Sequence, residues 1–188
     1  MQIHLIIVNI SLIIWLIVPI VYRKNRHFYY FLFLGLNDFL LMVLWFLFSI
    51  FVQELWIITH SLILLLFDRY YIKKIKNLIF FSIIPLLALA YFSNSFMQSS
   101  FALLTHIILV FLFTRLLIQE LYKKHYFNRF YFVLIFYELI TIYKFIAFQK
   151  VINGGVEIFY IGTIIQILIG LYLIFRNSRN YLGGSIRE

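Results

Sequence analysis

Leu104-Thr105-His106-Ile107-Ile108-Leu109-Val110-Phe111-Leu112-Phe113-Thr114-Arg115 is an apolar run with a histidine near its start and an arginine at its end. The pattern also stands 46 residues earlier, as Ile58-Thr59-His60-Ser61-Leu62-Ile63-Leu64-Leu65-Leu66-Phe67-Asp68-Arg69. Thr, His, Leu, Phe and Arg coincide in register, five identities in twelve positions, and most other positions exchange one apolar residue for another. An apolar helix closed by a basic residue is the pattern of a membrane span reaching the headgroups.

The rest of the chain has the same character. Of its 188 residues 64% are hydrophobic and 12% charged, with a mean hydropathy of +0.99, whereas a soluble domain is about 45–50% apolar and about 25% charged. No water-soluble fold of this length could hide that much apolar surface, so the bilayer is the expected solvent. The net charge of +9 does not point to nucleic acid, because the basic residues sit in short loops between apolar runs. The absence of cysteine excludes disulfides, thiolate metal sites and cysteine nucleophiles. The first apolar run, after Met1-Gln2-Ile3-His4, has neither a basic n-region nor a small-residue cleavage site and reads as a retained span.

Seven apolar runs follow one another at about 5–22, 28–50, 55–71, 78–92, 96–118, 130–148 and 158–175. The expected fold is all-α: a polytopic bundle of seven transmembrane helices in a single domain, with no soluble domain. The 3–4 and 5–6 span pairs would form a two-helix repeat. Span 4 is short and carries Pro85; such a segment is either a kinked helix or a broken helix beside a binding site. With seven spans, Arg23, Lys24, Arg26, Arg69, Lys73, Lys74, Lys76, Arg115, Lys123, Lys124, Arg129, Arg176, Arg179 and Arg187 fall on one side, 14 of the 16 basic residues. That bias predicts an outside N-terminus and a cytoplasmic C-terminus, in a multi-pass protein of a prokaryotic cytoplasmic membrane.

Depth counted along each helix from its basic end predicts a polar layer. His60 and His106 lie nine residues from Arg69 and Arg115, Glu138 nine from Arg129, Gln166 ten from Arg176 and Asp38 twelve from Arg26. At a rise of 1.5 Å per residue these side chains sit about 13–18 Å in, near the middle of a hydrocarbon core about 30 Å thick. Lys144 lies six residues beyond Glu138, with Thr141 between them. Gly162, Gln166 and Gly170 share one helix face, and Gln53 and Ser99 share the faces of His60 and His106. An ionisable side chain at the bilayer centre costs about 2.5–3.5 kcal/mol even on the lenient insertion scale. Asp38, Glu138 and Lys144 are therefore expected to serve a function or to pair as interhelical clamps.

Three chemistries suit such a layer. His60 and His106, with Asp38 and Glu138 as charge partners and Gln166 as an orienting amide, suit the handling or sensing of a proton, an ion or a small ligand by a non-enzymatic membrane module. The same four ionisable residues could hold a metal, or the two histidines a haem b, although there is no HxxxH or HExxH and each ligand would come from a different helix. Without a bound group the chain would serve as an accessory or assembly subunit of a larger membrane complex, or as a homo-oligomer. No cofactor is the expected state, and no catalytic residue is assigned. Asp68-Arg69-Tyr70 resembles the DRY signature of rhodopsin-like G-protein-coupled receptors over three residues, but spans 6 and 7 lack that family's CWxP and NPxxY patterns and no family is assigned.

Overall fold

The computed structural model describes residues 2–48, 54–67, 95–149 and 155–183. Among these residues there are six helices and no strand: α1 Gln2–Val21, α2 Phe28–Phe48, α3 Glu54–Leu65, α4 Ser95–Lys124, α5 Arg129–Gln149 and α6 Gly155–Gly183. The expected fourth span at 78–92, the basic cluster Lys73, Lys74 and Lys76, and Gln53 and Asp68-Arg69-Tyr70 lie outside the described residues.

Three helices are long and apolar enough to cross a membrane, over Ser99–Lys123 of α4, Arg129–Ala147 of α5 and Val156–Arg176 of α6. Shorter apolar helices cover Leu5–Val21 and Phe28–Leu44. The distribution of side chains agrees. Phe132, Phe136 and Leu139 on α5 and Ile161, Ile164 and Leu168 on α6 are exposed, while Glu138, Thr141, Thr163 and Gln166 on the same helices are buried. An apolar exterior around a polar interior is stable when the surroundings are lipid. The chain is an integral membrane protein in contact with the bilayer.

The expected spans and the observed helices differ mainly at their ends. The apolar run of span 5 stops near Ile118, but α4 continues to Lys124. Charged and amphipathic side chains end the hydrocarbon, not the helix, and Leu116–Lys124 contains no glycine or proline to break it. The break comes at His125, which adopts a left-handed φ of 50°, the conformation that terminates many helices. Asn128 then begins α5: its Oδ1 accepts from Phe130 N at 2.9 Å, its backbone carbonyl accepts from Phe132 N, and its Nδ2 donates to the Glu120 carboxylate on α4. Likewise α6 begins at Gly155, inside the expected turn, and runs past Arg176 to Gly183.

Two compact units divide the chain, Leu12–Ala102 with Ile174–Glu188, and Met1–Ser11 with Leu103–Leu173. In the first, α2 and α3 form an antiparallel pair. His27 Nδ1 donates to the Phe67 carbonyl at 3.1 Å at one end, and Thr59 Oγ1 donates to Asn37 Oδ1 at 2.7 Å further along. The rings of Tyr22, His27, Tyr30, Phe31 and Phe67 pack around the first contact. Gly35 lies on the backbone of α1: a Cβ there would collide with the Trp15 carbonyl oxygen and come within 3.1 Å of its carbon. Only a residue without a side chain lets two helix backbones approach this closely.

In the second unit α5 runs antiparallel to both α4 and α6. Its buried positions Phe130, Tyr131, Leu134, Tyr137, Glu138 and Thr141 recur at three- and four-residue spacing. Phe113 of α4 meets Tyr131 with ring centroids 6.4 Å apart. Leu109, Phe113 and Leu134 have no exposed surface.

Candidate functional site

Helix α5 carries Glu138, Thr141 and Lys144, and its geometry divides them between two neighbouring helices. Glu138, Thr141 and Lys144 are spaced by three residues. Each step of three turns the side chain about 300° and raises it about 4.5 Å, so the stripe winds about 60° per step around the helix. Glu138 meets α4, whereas Thr141 and Lys144 meet α6.

Toward α4, Glu138 Oε2 lies 2.5 Å from His106 Nδ1. The two side chains are 0% and 2% exposed, so this hydrogen bond is made away from solvent and lipid alike. The pair is neutral when it holds one proton beyond a bare imidazole and carboxylate, whether written as imidazolium–carboxylate or as imidazole–carboxylic acid. Phe145 covers the imidazole, its ring centroid 5.7 Å away.

Toward α6, four residues form a connected network. Thr141 Oγ1 donates to the Tyr137 carbonyl at 3.0 Å, and Thr163 Oγ1 to the Phe159 carbonyl at 2.8 Å. Each hydroxyl has spent its proton one turn back along its own helix, leaving its lone pairs to accept across the interface. Thr141 Oγ1 accepts from Gln166 Nε2 at 2.9 Å. Thr163 Oγ1 accepts from Lys144 Nζ at 3.0 Å. Gln166 Oε1 accepts from Lys144 Nζ at 2.7 Å, and the ammonium stands 4.3 Å from the Phe159 ring centroid. The lysine stem lies in the gap left by Gly162, where a Cβ would come within 2.7 Å of Lys144 Cγ and Cδ.

The expected layer is thus brought together in part. His106 and Glu138 are joined, as are Lys144 and Gln166. Lys144 is held by neutral oxygens of α6 and by Phe159, on a different side of α5 from Glu138. His60 belongs to the other unit; it is buried, with Nδ1 3.5 Å from Thr59 Oγ1. The two Thr-His copies share burial, and the His106 imidazole meets a carboxylate from the next helix. Asp38 is exposed on α2, and the buried place one residue earlier is taken by Asn37. A rotation of about 100° per residue allows only one of the two to face α3. Asn37 Nδ2 donates to Asp38 Oδ1 at 3.2 Å.

Asn37, Thr59 and Thr163 are contributors that depth counting passed over. The threonines gave only a weak signal, because a hydroxyl can bond back to its own helix, whereas Asn37 carried the same amide signal as Gln166. His27 had no signal at all. It stands beside Arg23, Lys24 and Arg26 in a loop, yet is fully buried through its contacts with Phe67. Among the described residues no three His, Cys, Asp or Glu side chains converge on a metal-sized site. No protein-family model, curated protein or solved structure matches this chain.

Proposed function

We propose that this membrane protein is a non-enzymatic module that holds and releases a proton within the bilayer at the His106–Glu138 pair, serving transport or sensing of a proton or of a small ion coupled to it. The full chain in this reading is a seven-span bundle with its N-terminus outside, its C-terminus in the cytoplasm, and spans 3–4 related to spans 5–6. The observation that carries the proposal is the 2.5 Å contact between His106 Nδ1 and Glu138 Oε2 with both side chains buried. Such a pair is neutral with its proton and charged without it. A full charge in the membrane costs about 2.5–3.5 kcal/mol on insertion scales, so gain or loss of that proton is coupled to whatever arrangement of helices exposes the pair. The Lys144–Gln166–Thr141–Thr163 network keeps α5 and α6 in register beside it.

The test is reconstitution of the full chain in liposomes loaded with a pH-sensitive dye, with an imposed proton gradient. Wild-type vesicles should equilibrate faster than empty ones. Glu138→Gln keeps the size and a hydrogen bond to His106 but removes the titratable carboxyl, and should reduce the rate to that of empty vesicles with insertion unchanged. Wild-type flux equal to empty vesicles, or full flux in Glu138→Gln, would defeat the proposal and leave the pair as an interhelical clamp.

A further inference from the structure

The hairpin joining α4 and α5 carries a surface that the buried pair does not use. Along the last turns of α4, Arg115, Ile118, Gln119 and Tyr122 are exposed, and their spacing of three and four places them on one helix face. Leu121, Lys123, His125, Tyr126, Phe127 and Arg129 continue the exposure around the turn, with Tyr122 83% accessible. The turn is built rather than loose: His125 closes α4 in a left-handed conformation, and Asn128 both caps α5 and ties it back to Glu120. That tie also turns the Glu120 carboxylate toward Asn128, leaving the exposed charges basic.

We propose that this hairpin binds anionic phospholipid headgroups of the protein's own bilayer. Position favours lipid over a protein partner. The stretch from Phe96 to Arg115 is about 30 Å of helix, the thickness of the hydrocarbon core. The next nine residues to Lys124 rise about 14 Å further and so cross the headgroup layer, where tyrosine side chains and basic residues are stable together. Composition favours it as well. Protein interfaces have centres depleted of charge, whereas here Lys123 follows Tyr122 and Arg129 stands two residues beyond Phe127. The phosphodiester is the chemistry that arginine and lysine would recognise, and the aromatic rings would enter the acyl boundary beside it.

The experiment uses the full chain in nanodiscs of equal parts phosphatidylcholine and phosphatidylglycerol. After release into mild detergent, native mass spectrometry reads the ratio of the two lipids retained. Wild type should be enriched in phosphatidylglycerol. A basic residue near an anionic surface is worth about a fivefold change in binding, so Lys123→Gln with Arg129→Gln should lower the enrichment by on the order of tenfold or more. Arg115→Gln, on the body of α4, should lower it about fivefold. Lys123→Arg with Arg129→Lys should preserve it. Arg23→Gln with Lys24→Gln removes the same charge from an exposed turn elsewhere and should also preserve it. No enrichment in wild type, no change in the two neutralised hairpin variants, equal loss in the Arg23→Gln with Lys24→Gln variant, or displacement by inorganic phosphate would overturn the proposal.

Discussion

Replacing His106 with leucine removes the imidazole and leaves the Glu138 carboxyl buried on α5 without its partner at 2.5 Å. Breaking a buried ionic pair from one side costs about 3–5 kcal/mol, because the remaining group keeps its desolvation penalty and loses its compensation. Glu138→Leu leaves an imidazole nitrogen unmatched instead, which costs about 1–3 kcal/mol. If the two sites were independent, the double variant would lose about 4–8 kcal/mol. The structure predicts otherwise. With both polar groups gone, two leucines of similar volume meet at a buried position, and little beyond the hydrogen bond itself is lost, about 2 kcal/mol or less. The ring contact between His106 and Phe145 is lost in both His106 variants and cancels in the comparison. The coupling energy should therefore be about 2 kcal/mol or more, well above the average of about 0.6 kcal/mol for interhelical hydrogen bonds in a membrane. The assay is a double-mutant cycle on the full chain in bicelles, unfolded with sodium dodecyl sulfate and followed by circular dichroism. A coupling at or below that membrane average would show that the pair does not tie α4 to α5, and would refute the reasoning.

Three further outcomes follow from named contacts. Gly35→Ala forces a Cβ onto the Trp15 carbonyl of α1; as backbone cannot yield cheaply, the variant should lose about 1–3 kcal/mol in the same unfolding assay. Gly162→Ala collides only with the lysine stem of Lys144, so its loss should be smaller, and a Lys144→Met background, which keeps an apolar stem but removes the ammonium, should change the response to Gly162→Ala. Equal losses for Gly35→Ala and Gly162→Ala would contradict the contrast between backbone and side-chain contacts. Asn128→Ala removes both the cap of α5 and the tie to Glu120 and should cost about 1–2 kcal/mol, read as faster amide hydrogen exchange in the first turn of α5; unchanged exchange there would rule out the capping role.

Periodicity and charge exposed the helices well and their ends poorly. The apolar runs located all six described helices, because a bilayer demands about 20 apolar residues whatever the tertiary context. The same logic ended span 5 at Ile118 and span 7 at Phe175, where lipid was expected to stop; α4 and α6 continue because helix propensity does not depend on lipid. The polar character of the interior was likewise legible: His106, Glu138 and Gln166, singled out within apolar runs, are all buried.

Azimuth was not readable. Depth counting treated Asp38 as one of the layer, but Asn37 faces α3 and Asp38 is exposed. It grouped Lys144 with Glu138, although the winding of α5 delivers one to α6 and the other to α4. The sequence by itself determined an all-helical membrane protein with polar groups inside its apolar helices, because the cost of burying polar atoms acts on every residue separately. Which polar groups meet was decided by the tertiary structure. Rotation of one helix about its axis changes the partners of His106 and Lys144 without changing the depth of either, and that rotation is set by contacts such as Phe113 with Tyr131 and Gly162 with Lys144.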